Sequence, residues 1–325
     1  MRDETPSKTA AWVAAARQLG RLLPDDLRLA DDRYGAEFTS AGLASVIERA
    51  VSPGPKDNSA DGWLRQLRHP IAFVPGLSSW VAYMQVRTRV IDDALRRFVA
   101  EGGRQLVLLG AGYDCRALRM PELSEVRVFE VDHPATQAHK QAVLARCEAT
   151  SPATYVTWDF EARPVDELPD ALVAAGLDAA APTFTIWEGV TMYLSEPAID
   201  ASLRAIARWS PPRSTLAMTY FARTRIEEPS WATKLVAAVV STLGEPWRWG
   251  WKPEELSDYL AARGLALVDD VAIADAAREL WPPELSALVA DPERRVAFAR
   301  TTPESIAFAT TAGAADADEV EPDAT

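Results

Sequence analysis

The chain has 325 residues, 48% of them hydrophobic, and a formal charge of −13, which argues against nucleic-acid binding because phosphate contact relies on lysine and arginine. Two cysteines and three histidines without clustered spacing exclude a disulfide framework and argue against a structural zinc site. No uncharged apolar run of about eighteen residues predicts a membrane-spanning helix, and Met1-Arg-Asp-Glu-Thr-Pro6 lacks an apolar signal-peptide core, so a cytoplasmic protein is expected.

In chain order, Ser7 can cap a helix through Ala10, Val13, Ala14 and Leu19, and a second helix is expected over 40–50 with Leu43, Val46 and Ile47 on its apolar face. The segment 52–62 is a loop by composition. A long helix is predicted from Ser79 to about Glu101, stopped by Gly102-Gly103. On it, Arg87 shares a face with Ile91, Ala94 and Phe98, whereas Arg89 and Arg96 point the opposite way. An arginine on a core face needs a carboxylate partner, either a ligand's or one of the chain's own acids such as Asp114.

Strands are then expected at 105–109, 126–131, 154–157, 183–187, 214–220, 265–271 and 305–311, with helices at 134–147, 165–175, 196–209, 229–242 and 253–263. This alternation predicts an α/β fold: a doubly wound, mostly parallel seven-stranded sheet with helices on both faces. Pro282-Pro283 and the charged segment behind them make a long excursion, so the last strand is expected to enter at the sheet edge. The resulting organisation is a helical N-terminal extension over 1–84, an α/β core over 85–312 with a helical lid insertion near 222–255, and a tail over 313–325. That tail carries five acids and no base, leaving about −8 for the rest, and is expected to be disordered.

The strand at 105–109 runs into Gly110-Ala-Gly112-Tyr-Asp114-Cys-Arg116, and the next strand ends in Glu130-Val-Asp132. Glycines after a buried parallel strand let the backbone turn and approach a ligand, and acids at the end of the second strand suit ribose hydroxyls. An adenosine-containing cofactor is therefore expected. A dinucleotide fingerprint has a third glycine where this chain has Cys115, and Asp114 beside a pyrophosphate is electrostatically unfavourable. Asp114 instead suits a ligand without phosphate and with a cationic end, which points to S-adenosylmethionine over a nicotinamide dinucleotide; it can also cap the helix after the turn.

The glycine turn, Phe129-Glu130-Val-Asp132, Asp159-Phe160 and Trp187-Glu188-Gly189-Val-Thr-Met-Tyr193-Leu194 together resemble the leucine carboxyl methyltransferase family, in particular its bacterial branch of S-adenosylmethionine-dependent O-methyltransferases. Pro6-Ser-Lys8-Thr-Ala10 and the segment Trp247 to Leu256 followed by Gly264 extend the resemblance over nearly the whole chain. The resemblance implies a class I, Rossmann-like methyltransferase core. It implies that Gly110 and Gly112 line the cofactor turn, and that Asp132, helped by Glu130, holds the ribose. Asp159 and Phe160 would flank the adenine, and Glu188 would sit near the ammonium and sulfonium. Arg87 would pair with the methionine carboxylate, with Lys8 closing over the same end. Arg87→Ala and Glu188→Ala are accordingly expected to weaken cofactor binding without unfolding the chain.

Tyr193 either packs on the sheet or stands beside the acceptor, with Glu188 as the other candidate at the reacting centre. His133 can lie near the cofactor or begin a helix, His139 is expected on a helix surface, and His69 can line the acceptor pocket. No clear general base emerges, which favours a carboxylate acceptor over a hydroxyl. Trp231, Trp247, Trp249 and Trp251 can form an aromatic wall for a flat small-molecule acceptor or pack the lid onto the core. The competing readings are a nicotinamide-dependent oxidoreductase and a non-catalytic S-adenosylmethionine-binding protein.

Overall fold

A computed structural model of the chain describes residues 7–42, 44–45, 77–242 and 246–304. Its centre is formed by the apolar runs β1 (Gln105–Leu109) and β4 (Thr183–Trp187), both buried at every position, as strands covered on two faces must be. With β2 (Arg127–Asp132), β3 (Thr154–Thr157) and β5 (Thr215–Phe221) they make a parallel set. β6 (Ala266–Ala272) and β7 (Arg294–Arg300) complete the sheet in the order β3-β2-β1-β4-β5-β7-β6. The order reverses between β1 and β4, which leaves a crevice at the carboxyl ends of these strands.

The helices are α1 (Lys8–Leu19), α2 (Leu77–Ala100), α3 (Arg116–Arg119), α4 (Pro134–Arg146), α5 (Leu168–Ala174), α6 (Glu196–Arg208), α7 (Thr224–Glu227), α8 (Trp231–Thr242), α9 (Pro253–Ala261), α10 (Ile273–Leu280) and α11 (Pro283–Ser286). Strand alternation sorts them onto two faces. Leu106 and Leu108 join a core with residues of α1, α2 and α10. Val107 and Leu109 join another with α5, α6 and α9. α2 carries the stripe read from its periodicity: Arg87, Ile91, Ala94 and Phe98 are buried, while Arg89 and Arg96 are partly exposed beside Asp93. Residues 84 and 85 both lie within α2, and Gln85 ties the preceding segment down by accepting from the Ala30 N–H and donating to the Arg17 carbonyl.

The seventh strand differs from expectation. β7 lies at Arg294–Arg300, between β5 and β6 and antiparallel to both, not at the sheet edge. Its apolar stretch is only Val296–Ala299, placed behind Arg294 and Arg295, so the charge masks it. The turn needed to bring it back is made by α10, which is absent from the expected elements, and by α11 within the Pro282-Pro283 excursion. The expected strand at 305–311, the loop at 52–62, the tail and most of the helix over 40–50 lie outside the described residues. Among the described residues, no helix is long and apolar enough to cross a membrane.

Candidate functional site

A cleft of about 1030 Å³ opens over the carboxyl ends of β1, β2 and β4. Its floor begins at the glycine turn, where the N–H groups of Gly110 and Ala111 donate to the Val131 carbonyl at 2.9 and 3.0 Å. Gly110 has φ +69°, and a Cβ there would come within 2.7 Å of Val190 Cγ2. Gly112, at φ +51°, donates its N–H to Asp132 Oδ2 at 2.6 Å. Both positions are in the left-handed region where a side chain is unfavourable.

Asp132 ends β2 at the cleft. Its Oδ1 accepts the His133 N–H at 2.7 Å, so both carboxylate oxygens meet backbone donors. Burial pushes this carboxyl up, and those two N–H groups hold it back. His133 starts α4, where its Nδ1 accepts from the Ala135 N–H at 3.2 Å and its Nε2 lies 3.7 Å from Asp159 Oδ2. His133, Asp159 and Phe160 all line the cleft, and the Phe160 ring is 42% exposed. Beside them a second cavity of about 340 Å³, a largely apolar slot, shares Phe160, Val190 and Leu194 with the larger cleft and adds Trp187, with Arg163 and Asp166 also on its lining.

Glu130 departs from the expected ribose role. It lies one pleat deeper on β2, fully buried, where Lys140 of α4 donates to its Oε2 at 2.6 Å. Lys140 also donates to the Asp114 carbonyl, so the Glu130–Lys140 pair braces the glycine turn from behind and does not line the cleft. The Glu-Val-Asp spacing puts both acids on one side of the strand, but only the terminal one clears α4.

At the β4 end, Glu188 stands between two guanidinium groups. Arg87 Nη2 is 2.7 Å from its Oε1, and Arg116 Nη1 is 2.8 Å from its Oε2, all three side chains being nearly inaccessible. Burial alone would push the Glu188 carboxyl up, but Arg87 and then Arg116 hold it well below the usual carboxylate range. Arg116 also pairs with Asp114, whose Oδ1 caps the turn by accepting the Arg116 N–H at 2.7 Å. Asp114 therefore satisfies the first N–H of α3, although the N-cap position itself is Cys115, and it lines the cleft as well. Arg87 occupies a protein ion pair at the cleft wall, yet its Nε has no hydrogen-bond partner.

α1 supplies the opposite wall through Thr9, Ala10, Val13 and Arg17, one helical face. Arg17 fixes that wall by pairing with Asp32 at 3.0 Å and donating to the Tyr113 carbonyl at 2.7 Å. Lys8 begins α1, and its side chain lies outside the described residues, as does His69. Tyr193 lines the cleft in the turn after β4, and the Arg248 N–H donates to the neighbouring Met192 carbonyl at 2.7 Å. From that segment Pro246 and Arg248 face the cleft, and the four tryptophans do not. Trp251 is buried against Tyr220 and Tyr259, Trp247 packs edge-on against Phe221, Trp249 meets Trp251, and Trp231 is 81% exposed. The aromatic-wall reading is thus replaced by lid-to-core packing for three of them. His139, expected at a surface, is half-buried against the Tyr113 ring.

Arg17, Asp92, Arg116 and Arg119 are structural partners of the site to which no sequence motif assigns a role. Arg116 ends the glycine motif, and two arginines three apart beside a buried strand turn are the available signal. Asp92 has none, because one acid among the charges of α2 is unremarkable until its burial is known.

Residues 10–207 match the model of a family described as leucine carboxyl methyltransferase. A Streptomyces coelicolor protein named as an S-adenosyl-L-methionine-dependent methyltransferase is 36% identical over 67% of this chain and 70% of its own length. A Mycobacteroides abscessus protein of the same description is 35% identical over 73% of this chain and 70% of its own length. A crystal structure from Thermobifida fusca, described as a methyltransferase, matches in fold with a TM-score of 0.50 at 20% identity, covering 88% of this chain and 94% of that one. The chain belongs to the leucine carboxyl methyltransferase family.

Proposed function

We propose that the protein is an S-adenosylmethionine-dependent O-methyltransferase acting on a small-molecule carboxylate or hydroxyl in the cytoplasm, without nucleic acid or membrane as partner. The observation that carries this is the layout of one cleft: Asp132 at the end of β2, an apolar slot beside Phe160, and an Arg87–Glu188 pair at the end of β4. The residues fit such a donor. Asp132 can accept from ribose hydroxyls, the slot suits a flat base, and the orphaned Arg87 Nε and the Glu188 carboxylate match a zwitterionic amino-acid end. When bound, S-adenosylmethionine supplies a methyl group that is already activated.

The chain's own task is then alignment and exclusion of water. The glycine turn brings backbone close to the ligand, Arg87 and Glu188 orient its charged end, and α1 with Pro246 and Arg248 encloses the cleft. Tyr193, which lines the cleft in the turn after β4, is assigned to orient the acceptor. His133 already uses Nδ1 as an acceptor for the α4 terminus, which leaves it a poor general base through that atom. An ionised carboxylate acceptor needs no base, so this arrangement favours carboxyl transfer.

The nicotinamide alternative is disfavoured locally: the helix after the glycine turn is the four-residue α3, entered through Asp114 and Cys115, and it offers a pyrophosphate little N-terminal dipole. Labelled-methyl transfer to a panel of carboxylic acids and phenols, read by mass spectrometry, tests the proposal. S-adenosylhomocysteine should also raise the melting temperature by mass action. No shift at saturating ligand would overturn the donor assignment; a shift without turnover on any acceptor would favour a binding protein.

A further inference from the structure

We propose that the buried Asp92–Arg116–Arg119 cluster is a positioning and charge-balancing element whose neutrality sets the relative affinity of the site for the sulfonium donor and its neutral thioether product. The inference rests on the donor site proposed above, and none of the three residues lines the cleft. Asp92, on α2 and 1% exposed, accepts from Arg116 Nε at 2.7 Å through Oδ1 and from Arg119 Nη1 at 2.7 Å through Oδ2. Arg119 Nη2 adds a contact to Oδ1 at 3.0 Å.

A planar guanidinium held at Nε has the direction of its Nη1 fixed. In Arg116 that Nη1 bridges Asp114 and Glu188, two of the acids that line the cleft. Asp92 therefore sets, at one remove, where Glu188 stands and how its charge is compensated. Burial alone would raise the Asp92 carboxyl, but Arg119 and Arg116 hold it ionised. Arg87, Arg116 and Arg119 face Asp92, Asp114 and Glu188, so the cluster is neutral before any ligand arrives. Buried charges of this kind are little screened by salt.

In methyl transfer the acceptor oxygen's lone pair forms the new C–O bond, and the electrons of the broken C–S bond stay on sulfur. The ligand loses one positive charge at sulfur while its amino-acid end is unchanged. A substitution that neutralises one member leaves a net charge in the cluster, and that charge must act differently on donor and product. A unit charge within about 10 Å, at an effective dielectric near 20, alters cation binding on the order of tenfold.

The test is calorimetric titration of the protein and three variants with S-adenosylmethionine and with S-adenosylhomocysteine. Asp92→Asn should weaken the donor roughly threefold to tenfold more than the product. Arg119→Gln, which removes a positive charge, should move the same ratio in the opposite direction, and Asp92→Glu should restore it. Structural damage would affect both ligands alike, so equal losses, or a shift of the same sign in both variants, overturns the proposal. If Asp92→Asn does not fold, an unchanged ratio in Arg119→Gln overturns it alone. If the wild-type protein binds neither ligand, the donor site itself is wrong, and this is seen before any variant is compared.

Discussion

Glu188 shows how burial changes the meaning of a residue picked from sequence. It was legible as a ligand-facing acid within Glu-Gly-x-x-x-Tyr-Leu, and Arg87 as an inward-facing cation on α2, but their direct pairing was not, because periodicity fixes a face and not a partner across the sheet. Glu130 went astray for the matching reason: strand alternation put it beside Asp132, and only the position of α4 reveals that Lys140 covers it. The pairing revises the expected outcome of truncation. Glu188→Ala leaves Arg87 and Arg116 short of a buried counter-charge, so it should lower stability by about 3 kcal/mol as well as donor affinity. The milder Glu188→Gln permits a pH test. The folded-state carboxyl is held below its ordinary value of 4.5, so its stabilisation is fully present above that pH and is lost as pH falls through the lowered value. Urea unfolding should therefore show wild type well ahead of Glu188→Gln at pH 7, with the gap narrowing below about pH 4.5. An equal gap at pH 7 and pH 3 would contradict the ion-pair account.

Among the elements, β1 to β5 were readable because each is a short apolar or β-branched run ended by a turn or acid at the ligand side. β7 was not, since two arginines precede it and its pairing with β5 and β6 is non-local. The N-terminal helix was readable from its Ser7 cap, which accepts the Ala10 N–H at 3.1 Å, yet its function as a cleft wall follows only from its anchors. Arg17 is the chief anchor, joining α1 to Asp32 and to the carbonyl of Tyr113 in the glycine turn. Arg17→Ala should cost about 3 kcal/mol in urea unfolding, because Asp32 is fully buried and, among the described residues, keeps only the Tyr34 N–H. Arg17→Lys should recover part of that and not all, lacking the fork that meets two acceptors at once. A loss below about 1 kcal/mol in the alanine variant would mean α1 is held by its apolar face alone.

Across the whole molecule the cleft gathers residues far apart in sequence, from Thr9 on α1 through the glycine turn, Asp132, Asp159 and the Glu188 turn to Arg248. Acidic groups at the ends of β2 and β3 lie on one side, and the Arg248 segment, joined to the end of β5 through Trp251 and the Phe221 carbonyl, lies on the other. A ligand that spans such a cleft links elements whose contacts with each other are otherwise indirect. Bound donor or product should therefore slow amide exchange not only in the glycine turn but also in α1 and in residues 246–251, which sit on separate elements. Hydrogen exchange with and without saturating S-adenosylhomocysteine measures this. Protection in α1 and the 246–251 segment together would mean that both walls close on the ligand. Protection limited to 105–132 would mean that the ligand sits on the sheet edge alone, and that α1 and Arg248 enclose only the acceptor.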